Sequence, residues 1–189
     1  MHSLESKDYD AVVVGSGPNG LAAAITLQQA GLSVLVVEAQ KTIGGGLRSA
    51  ELTLPGFVHD VCSAIHPLAI GSPFFSKLPL REHGLEFILP TVAAAHPFDG
   101  GKAAVLDLAL ENTARLLNED RKNYTHLIAP FLNNWDGLVK DILGPLSYPG
   151  HPLALAEFGL KALQPALWIA KKFHSKEAKG LWAGMAAHS

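Results

Sequence analysis

Near the start of the chain, two unbroken apolar runs bracket a helix-like stretch. Val12-Val13-Val14 ends at Gly15, and Val34-Leu35-Val36-Val37 ends at Glu38. Neither run alternates with polar residues, which is the pattern of parallel strands covered on both faces. Between them, Leu21 to Ala30 is rich in good helix formers. Pro18 sits where a helix start tolerates its missing N–H, and Gly31 supplies a C-cap. The pattern predicts a strand–helix–strand unit of about 30 residues with a right-handed crossover.

Beyond Gly46 the runs shorten. Arg48 to Leu54 partly alternates and reads as a strand stopped by Pro55-Gly56, and Glu86 to Leu89 reads as another. Val92 to Phe98 and Lys102 to Leu106 flank Asp99-Gly100-Gly101, a hairpin signal because both glycines tolerate positive φ. Asp107 and Asn118 are candidate N-caps for the helices that follow. The remainder reads as mostly helical, with breaks at Gly144-Pro145 and Tyr148-Pro149-Gly150. The fold class expected is α/β: a Rossmann-type dinucleotide-binding βαβ unit in residues 1–71, then part of a mixed α+β substrate domain in 72–189.

Composition narrows the function classes. With 48% hydrophobic and 17% charged residues among 189, the chain has enough apolar content for a buried core. A net charge of −2 gives no global field for nucleic acid. Cys62 is the only cysteine, which excludes a redox-active pair within the chain and fits a reducing, cytoplasmic location. The nine histidines include no i, i+4 pair with an acid between, so no metal site is expected. No serine nucleophile motif is present. The run from Ala11 to Val37 carries no charge, yet Gly15, Gly17, Pro18, Asn19, Gly20, Gln28, Gln29 and Gly31 interrupt it as a membrane span. Glu5, Lys7, Asp8 and Asp10 upstream do not form the basic start of a signal peptide.

The chemistry gathers at the first strand–helix turn, Gly15-Ser16-Gly17-Pro18-Asn19-Gly20. The first glycine allows the tight turn, the second lets a pyrophosphate approach the backbone, and the third lets helix and strand pack closely. Amides at the helix start carry partial positive charge towards phosphate. Glu38 lies 18 residues past Gly20 at a strand end, where a carboxylate can accept from ribose hydroxyls and repel the extra phosphate of NADP. Gly44-Gly45-Gly46, followed by Arg48, offers backbone approach and a cation for a phosphate. A flexible loop with a solvated arginine fits the same residues, and the sequence leaves both readings open.

Gly15-x-Gly17-x-x-Gly20, Ala24, Gly31, Val34, Val36, Glu38 and Gly44-Gly45 together resemble the N-terminal pattern of FAD-dependent amine oxidases and phytoene desaturases. The segment from Glu51 through Pro55-Gly56-Phe57-Val58-His59-Asp60 to His66-Pro67 resembles the phytoene desaturase-like branch, which includes proteins described as pyridine nucleotide-disulfide oxidoreductase-like. His96-Pro97-Phe98-Asp99-Gly100 and Gly184-Met185-Ala186-Ala187-His188-Ser189 resemble it too. The resemblance implies FAD as cofactor, held by the glycines and Glu38, and a lipid-like or isoprenoid-like hydrophobic substrate that gives up hydride. It brings His59 and Asp60 near the expected position of the flavin ring, although a polar surface turn accounts for them equally well. No catalytic base is named by these residues.

Members of that family are longer, and a C-terminal segment completes their FAD domain. The expectation is therefore a truncated fragment, inactive alone, or a chain completed by a partner. Two rival readings stand beside it: an NAD-binding dehydrogenase or sensor domain, and a non-catalytic remnant of the fold. Lys161 to Lys179 holds five lysines among Leu160, Leu163, Leu167, Trp168, Ile169 and Phe173. A basic amphipathic helix there would give peripheral membrane contact, and the solvated face of a core helix is the alternative.

Overall fold

A computed structural model describes residues 8–187. His188 and Ser189 of the family-like C-terminal stretch, and Glu5 and Lys7 of the N-terminal charge pattern, lie outside the described residues. The chain forms two compact units, Met1–Ala69 and Ile70–Ser189.

In the first unit, β1 (Ala11–Val14) and β2 (Val34–Val37) pair in parallel, with Ala11 opposite Val34 and Val14 opposite Val37. The connecting helix α1 (Pro18–Gln29) has proline in its first turn and packs against both strands, with Ala24 buried. Asp10 ties the strand starts together: its Oδ2 accepts from the Ser33 amide at 2.8 Å and the Ser33 hydroxyl at 2.6 Å. The antiparallel pair β3 (Ser49–Glu51) and β4 (Val58–Asp60) follows, with Ala50 opposite His59. A short helix α2 (Pro67–Gly71) crosses the boundary between the units.

In the second unit, two 3-10 turns at Phe75–Lys77 and Leu80–His83 precede the predicted hairpin. Strands β5 (Val92–Phe98) and β6 (Lys102–Asp107) pair antiparallel around Gly100 and Gly101, both at positive φ. Six helices follow: α3 (Leu110–Leu116), α4 (Arg121–Asn133), α5 (Trp135–Leu143), α6 (Pro152–Ala162), α7 (Ala166–Ala170) and α8 (Lys176–Ala186). The core joins Ala104 of β6 with Ala114, Leu117, Tyr124, Ile169, Phe173, Ala178 and Leu181. Gly180 and Gly184, one turn apart on α8, let that helix lie close to β5. A Cβ on Gly180 would stand 2.5 Å from the Phe98 ring, and one on Gly184 2.5 Å from His96 Nδ1.

Several sequence expectations change. Glu86 to Leu89 forms no strand; the segment is without regular structure, with Ile88 85% exposed. A short apolar run becomes a strand only where an edge is available for its backbone groups, and no described strand pairs with it. The strand expected over Arg48 to Leu54 shrinks to Ser49–Glu51. Asn118 starts a 3-10 turn with φ +48 instead of capping a helix. Asp107 acts just ahead of α3, its Oδ1 accepting from the Ala109 amide at 2.8 Å and from Asn112 at 3.2 Å. Lys161 to Lys179 is not one helix. It divides among the end of α6, α7 and the start of α8, with Pro165 preceding α7.

Asp120 joins the two ends of this unit's helical segment. It is fully buried, and its carboxylate accepts from the His174 amide at 2.9 Å, the Ser175 amide at 2.7 Å and the Ser175 hydroxyl at 2.7 Å. Ser175 in turn caps α8 by accepting from the Ala178 amide at 3.1 Å. Burial pushes the Asp120 pKa up, but the bonds from Ser175, His174 and Asn123 outweigh it and hold the carboxyl below its ordinary value. A lowered folded-state pKa contributes stability that is present above the unfolded carboxyl value of about 4 and is lost as pH falls through the folded value. Asp120→Ala, which strands the His174 and Ser175 amides, is expected to destabilise the protein by about 2–4 kcal/mol. It should also flatten the acid limb of the Tm-versus-pH curve, as measured by thermal unfolding. An unchanged acid limb would remove Asp120 from this role.

Candidate dinucleotide site

The turn between β1 and α1 is built from the backbone outward. Gly15 takes φ +96, a region closed to most side chains, and its amide donates to Val37 O at 2.7 Å, which fixes the turn against the end of β2. At Gly20 a Cβ would collide with the Gly15 carbonyl, so helix and strand meet only because that atom is missing. At Gly17 the nearest atom to an added Cβ would be Gly45 Cα at 3.8 Å, so a small side chain fits there without collision. No side chain caps the first turn of α1 and no acid lies in it. The partial positive charge at this helix start therefore has no side-chain cap within the helix's own first turn.

Glu38, half-buried at the end of β2, turns back to this turn. Its Oε2 accepts from the Ser16 amide at 2.8 Å and the Ser16 hydroxyl at 2.7 Å, and its Oε1 accepts from the Gln40 amide at 2.9 Å. The Ser16 hydroxyl above all, then the Ser16 and Gln40 amides, lowers the Glu38 pKa to about 2. The group is an anion throughout the physiological range.

The triple-glycine segment folds onto the same turn. Gly44 donates to Ser16 O at 3.0 Å, and Gly45, at φ +58, lies so near Gly17 that a Cβ would come within 2.9 Å of Gly17 Cα. Arg48 is drawn inward, its Nε donating to Gly45 O at 2.8 Å. The sequence expectation puts Gly15, Ser16, Gly17, Pro18, Asn19, Gly20, Glu38, Gly44, Gly45, Gly46 and Arg48 in one cofactor site. The fold brings Glu38, Gly44 and Gly45 onto the Gly15–Gly20 turn with Arg48 behind Gly45, while the Gly46 carbonyl accepts from the Ser63 amide. The contact drawn for Arg48 is with backbone. His59 and Asp60 stand apart on the β3–β4 pair: His59 Nε2 lies 2.8 Å from Thr53 Oγ1, and Asp60 accepts from the Ser49 hydroxyl at 2.8 Å. Missing from the sequence reading was the role of the Ser16 hydroxyl. Its one signal was a serine between the first two glycines, with an acid closing the next strand.

Residues 13–75 match the family of NAD(P)-binding Rossmann-like domains. The N-terminal unit is a Rossmann-like domain. Beyond it, the chain is similar to a limonene dehydrogenase component of Castellaniella defragrans, 29% identical over 157 residues, which cover 81% of this chain and 27% of that protein. It is 39% identical over 82 residues to the rat pyridine nucleotide-disulfide oxidoreductase domain-containing protein 2, covering 43% of this chain and 14% of that one. Among solved structures, a triple mutant of putrescine oxidase from a redesign of its cofactor binding aligns with a TM-score of 0.50 at 25% identity. That alignment covers 90% of this chain and 35% of the other. All three relatives are oxidoreductases by name, and the chain spans about a third or less of each. Among the described residues, no cluster of His, Cys, Asp and Glu could hold a metal ion. No helix there is long and apolar enough to cross a membrane.

The two glycines of the Rossmann-like turn should fail differently. Gly17→Val is expected to keep the fold, because its Cβ would make only ordinary contact with Gly45 Cα at 3.8 Å, while weakening dinucleotide binding at least about ten-fold. Gly20→Ala should instead lower the Tm, since the added methyl meets backbone that cannot move away. Calorimetry paired with a nucleotide titration separates the two. Full affinity in a folded Gly17→Val protein would move the pyrophosphate elsewhere.

Proposed function

We propose that this chain is the FAD-binding portion of a phytoene desaturase-like oxidoreductase that takes hydride from a hydrophobic, isoprenoid-like substrate. The observation that carries the reading is the pairing of an uncapped helix start with a carboxylate already fixed beside it. The lack of a side chain at Gly17 and the acid-free first turn of α1 fit a pyrophosphate, and Glu38 fits an adenosine ribose. Similarity to a protein named as part of limonene dehydrogenase supports both the reaction class and an apolar substrate.

In this reading the pyrophosphate lies at the Gly15–Gly20 turn against the amides of Gly17, Asn19 and Gly20 and the helix dipole, the Gly15 and Ser16 amides being engaged by Val37 and Glu38. Glu38 accepts from ribose hydroxyls and, as an anion, disfavours a 2′-phosphate at that point. Gly44 and Gly45 brace the turn, with Arg48 Nε on the Gly45 carbonyl, and Gly46 and the rest of the Arg48 guanidinium stay our candidates for contact with the cofactor. Bound FAD supplies the hydride-accepting ring, and the protein supplies orientation and electrostatics. His59 and Asp60 remain our candidates for the flavin-proximal edge, supported by their place on the strand pair that leaves the glycine segment directly.

A second reading has its own support, because the family matched by residues 13–75 is described as NAD(P)-binding. The two part on a competitive titration. FAD is expected to displace NADH, and Glu38→Ala should weaken FAD by roughly ten- to a hundred-fold, the scale of lost hydrogen bonds to a charged acceptor. Because Glu38 is held anionic to about pH 2, FAD affinity should stay flat from neutrality down to mildly acidic solution. Binding of NADH without FAD would favour the second reading.

We further propose that catalysis belongs to an assembly larger than these 189 residues, with a further C-terminal portion or a partner chain completing the FAD domain. Val12 is 58% and Val14 84% exposed on a strand whose unbroken valines suit cover on both faces. The 189-residue polypeptide should release FAD on dilution and show no steady turnover, as followed by flavin fluorescence and oxygen uptake. Stoichiometric FAD retention with sustained turnover would overturn that.

A further inference from the structure

A phosphate-binding turn asks only for a backbone amide at the position of Ser16, yet this residue carries a hydroxyl that is fully buried. A hydroxyl has one proton to donate. Here it goes to Glu38 Oε2 at 2.7 Å, beside the 2.8 Å bond from the Ser16 amide to the same oxygen. The Ser16 carbonyl meanwhile accepts from the Gly44 amide at 3.0 Å. One small residue therefore grips the acid closing β2 with two donors and holds the glycine segment with its acceptor.

We propose that Ser16 is a positioning residue for dinucleotide recognition, whose hydroxyl holds the Glu38 carboxylate in its ribose-accepting place before any ligand arrives. This rests on the reading above that Glu38 accepts from the ribose. A glutamate side chain is rich in rotamers, and ordering it during binding subtracts from affinity. Two donors on one oxygen, with the Gln40 amide on the other at 2.9 Å, fix the carboxylate at both oxygens in advance. A carboxylate has about four acceptor sites, so a free one remains for a ribose hydroxyl. With alanine at 16 the amide bond persists, but the carboxylate loses its second tether on that oxygen and can swing away from the turn. The same hydroxyl is the largest cause of the lowered Glu38 pKa, so its loss also brings protonation of Glu38 closer to ordinary pH.

A role acting through Glu38 differs from a merely structural one in which ligand atoms sense it. The probes are ADP and its 2′,3′-dideoxy analogue, which lacks the ribose hydroxyls, titrated by calorimetry into the full chain. Wild type is expected to prefer ADP. Ser16→Ala should reduce that preference roughly three- to ten-fold, the scale of one hydrogen bond, while leaving dideoxy-ADP affinity unchanged. The Ser16→Ala effect should vanish in a Glu38→Ala background, and ADP binding by Ser16→Ala should weaken at a higher pH on acidification than that of wild type. Ser16→Gly, which also removes the hydroxyl and keeps the amide, serves if the alanine variant does not fold. An ADP preference retained in full by the hydroxyl-free variant, or an equal loss for both nucleotides, overturns the positioning role while leaving Glu38 as the ribose acceptor. No ADP preference in wild type removes Glu38 as ribose acceptor, and the positioning role falls with it.

Discussion

Everything at the candidate site depends on a single cross-link: the bond pair from Ser16 to Glu38. Strands β1 and β2 are only four residues each, and their ladder alone would leave the turn after β1 free to move. The Gly15 amide on Val37 O closes the ladder, and the Ser16–Glu38 pair extends it by one residue through side chains. That extension fixes where the Glu38 carboxylate stands beside the turn. A carboxylate held by three donors has little reason to take up a proton, so the same bonds that give shape also keep a negative charge beside a helix start that favours anions.

The second unit solves a comparable problem with a buried acid. Asp120 lies at the start of α4, yet its hydrogen bonds go to residues more than fifty positions later, at the start of α8. Its carboxylate serves the amides of His174 and Ser175, so the turn before α8 has its amides satisfied by a protein acceptor. Around that knot, Phe173 and Leu181 pack with Ala114 and Leu117, while the glycines of α8 allow β5 to approach. Both units thus use a carboxylate as a multivalent acceptor for backbone far away in sequence. One is completely buried and the other half-buried with acceptor capacity to spare, and only the latter is suited to a ligand.

Much of the fold was legible because its signals are local. An unbroken valine run, glycines at the turn and proline at the first helical position each state a backbone preference that needs no distant partner. The βαβ unit and the Asp99-Gly100-Gly101 hairpin formed as that chemistry predicts. Glu86 to Leu89 shows the limit: its apolar run resembles a strand, but a strand is a relation between two segments, and no described strand pairs with it. Lys161 to Lys179 shows another, since its lysines and leucines were compatible with one amphipathic helix, and the chain turns at Pro165 and again ahead of Ser175.

By itself the sequence determined the βαβ unit and its turn: spacing from Gly15 to Glu38 follows from the length of a strand, a turn and a helix, which are local quantities. It also determined where glycine was indispensable, since Gly20 leaves no room for a methyl. Tertiary structure alone decided which side chains would act together. Nothing in the order of residues says that the Ser16 hydroxyl turns to Glu38, that Arg48 Nε meets the Gly45 carbonyl, or that Asp120 reaches His174 and Ser175. Those pairings are set by how separate segments close in space, because a hydrogen bond is decided within a few tenths of an ångström and sequence patterns resolve positions only to about a turn of helix.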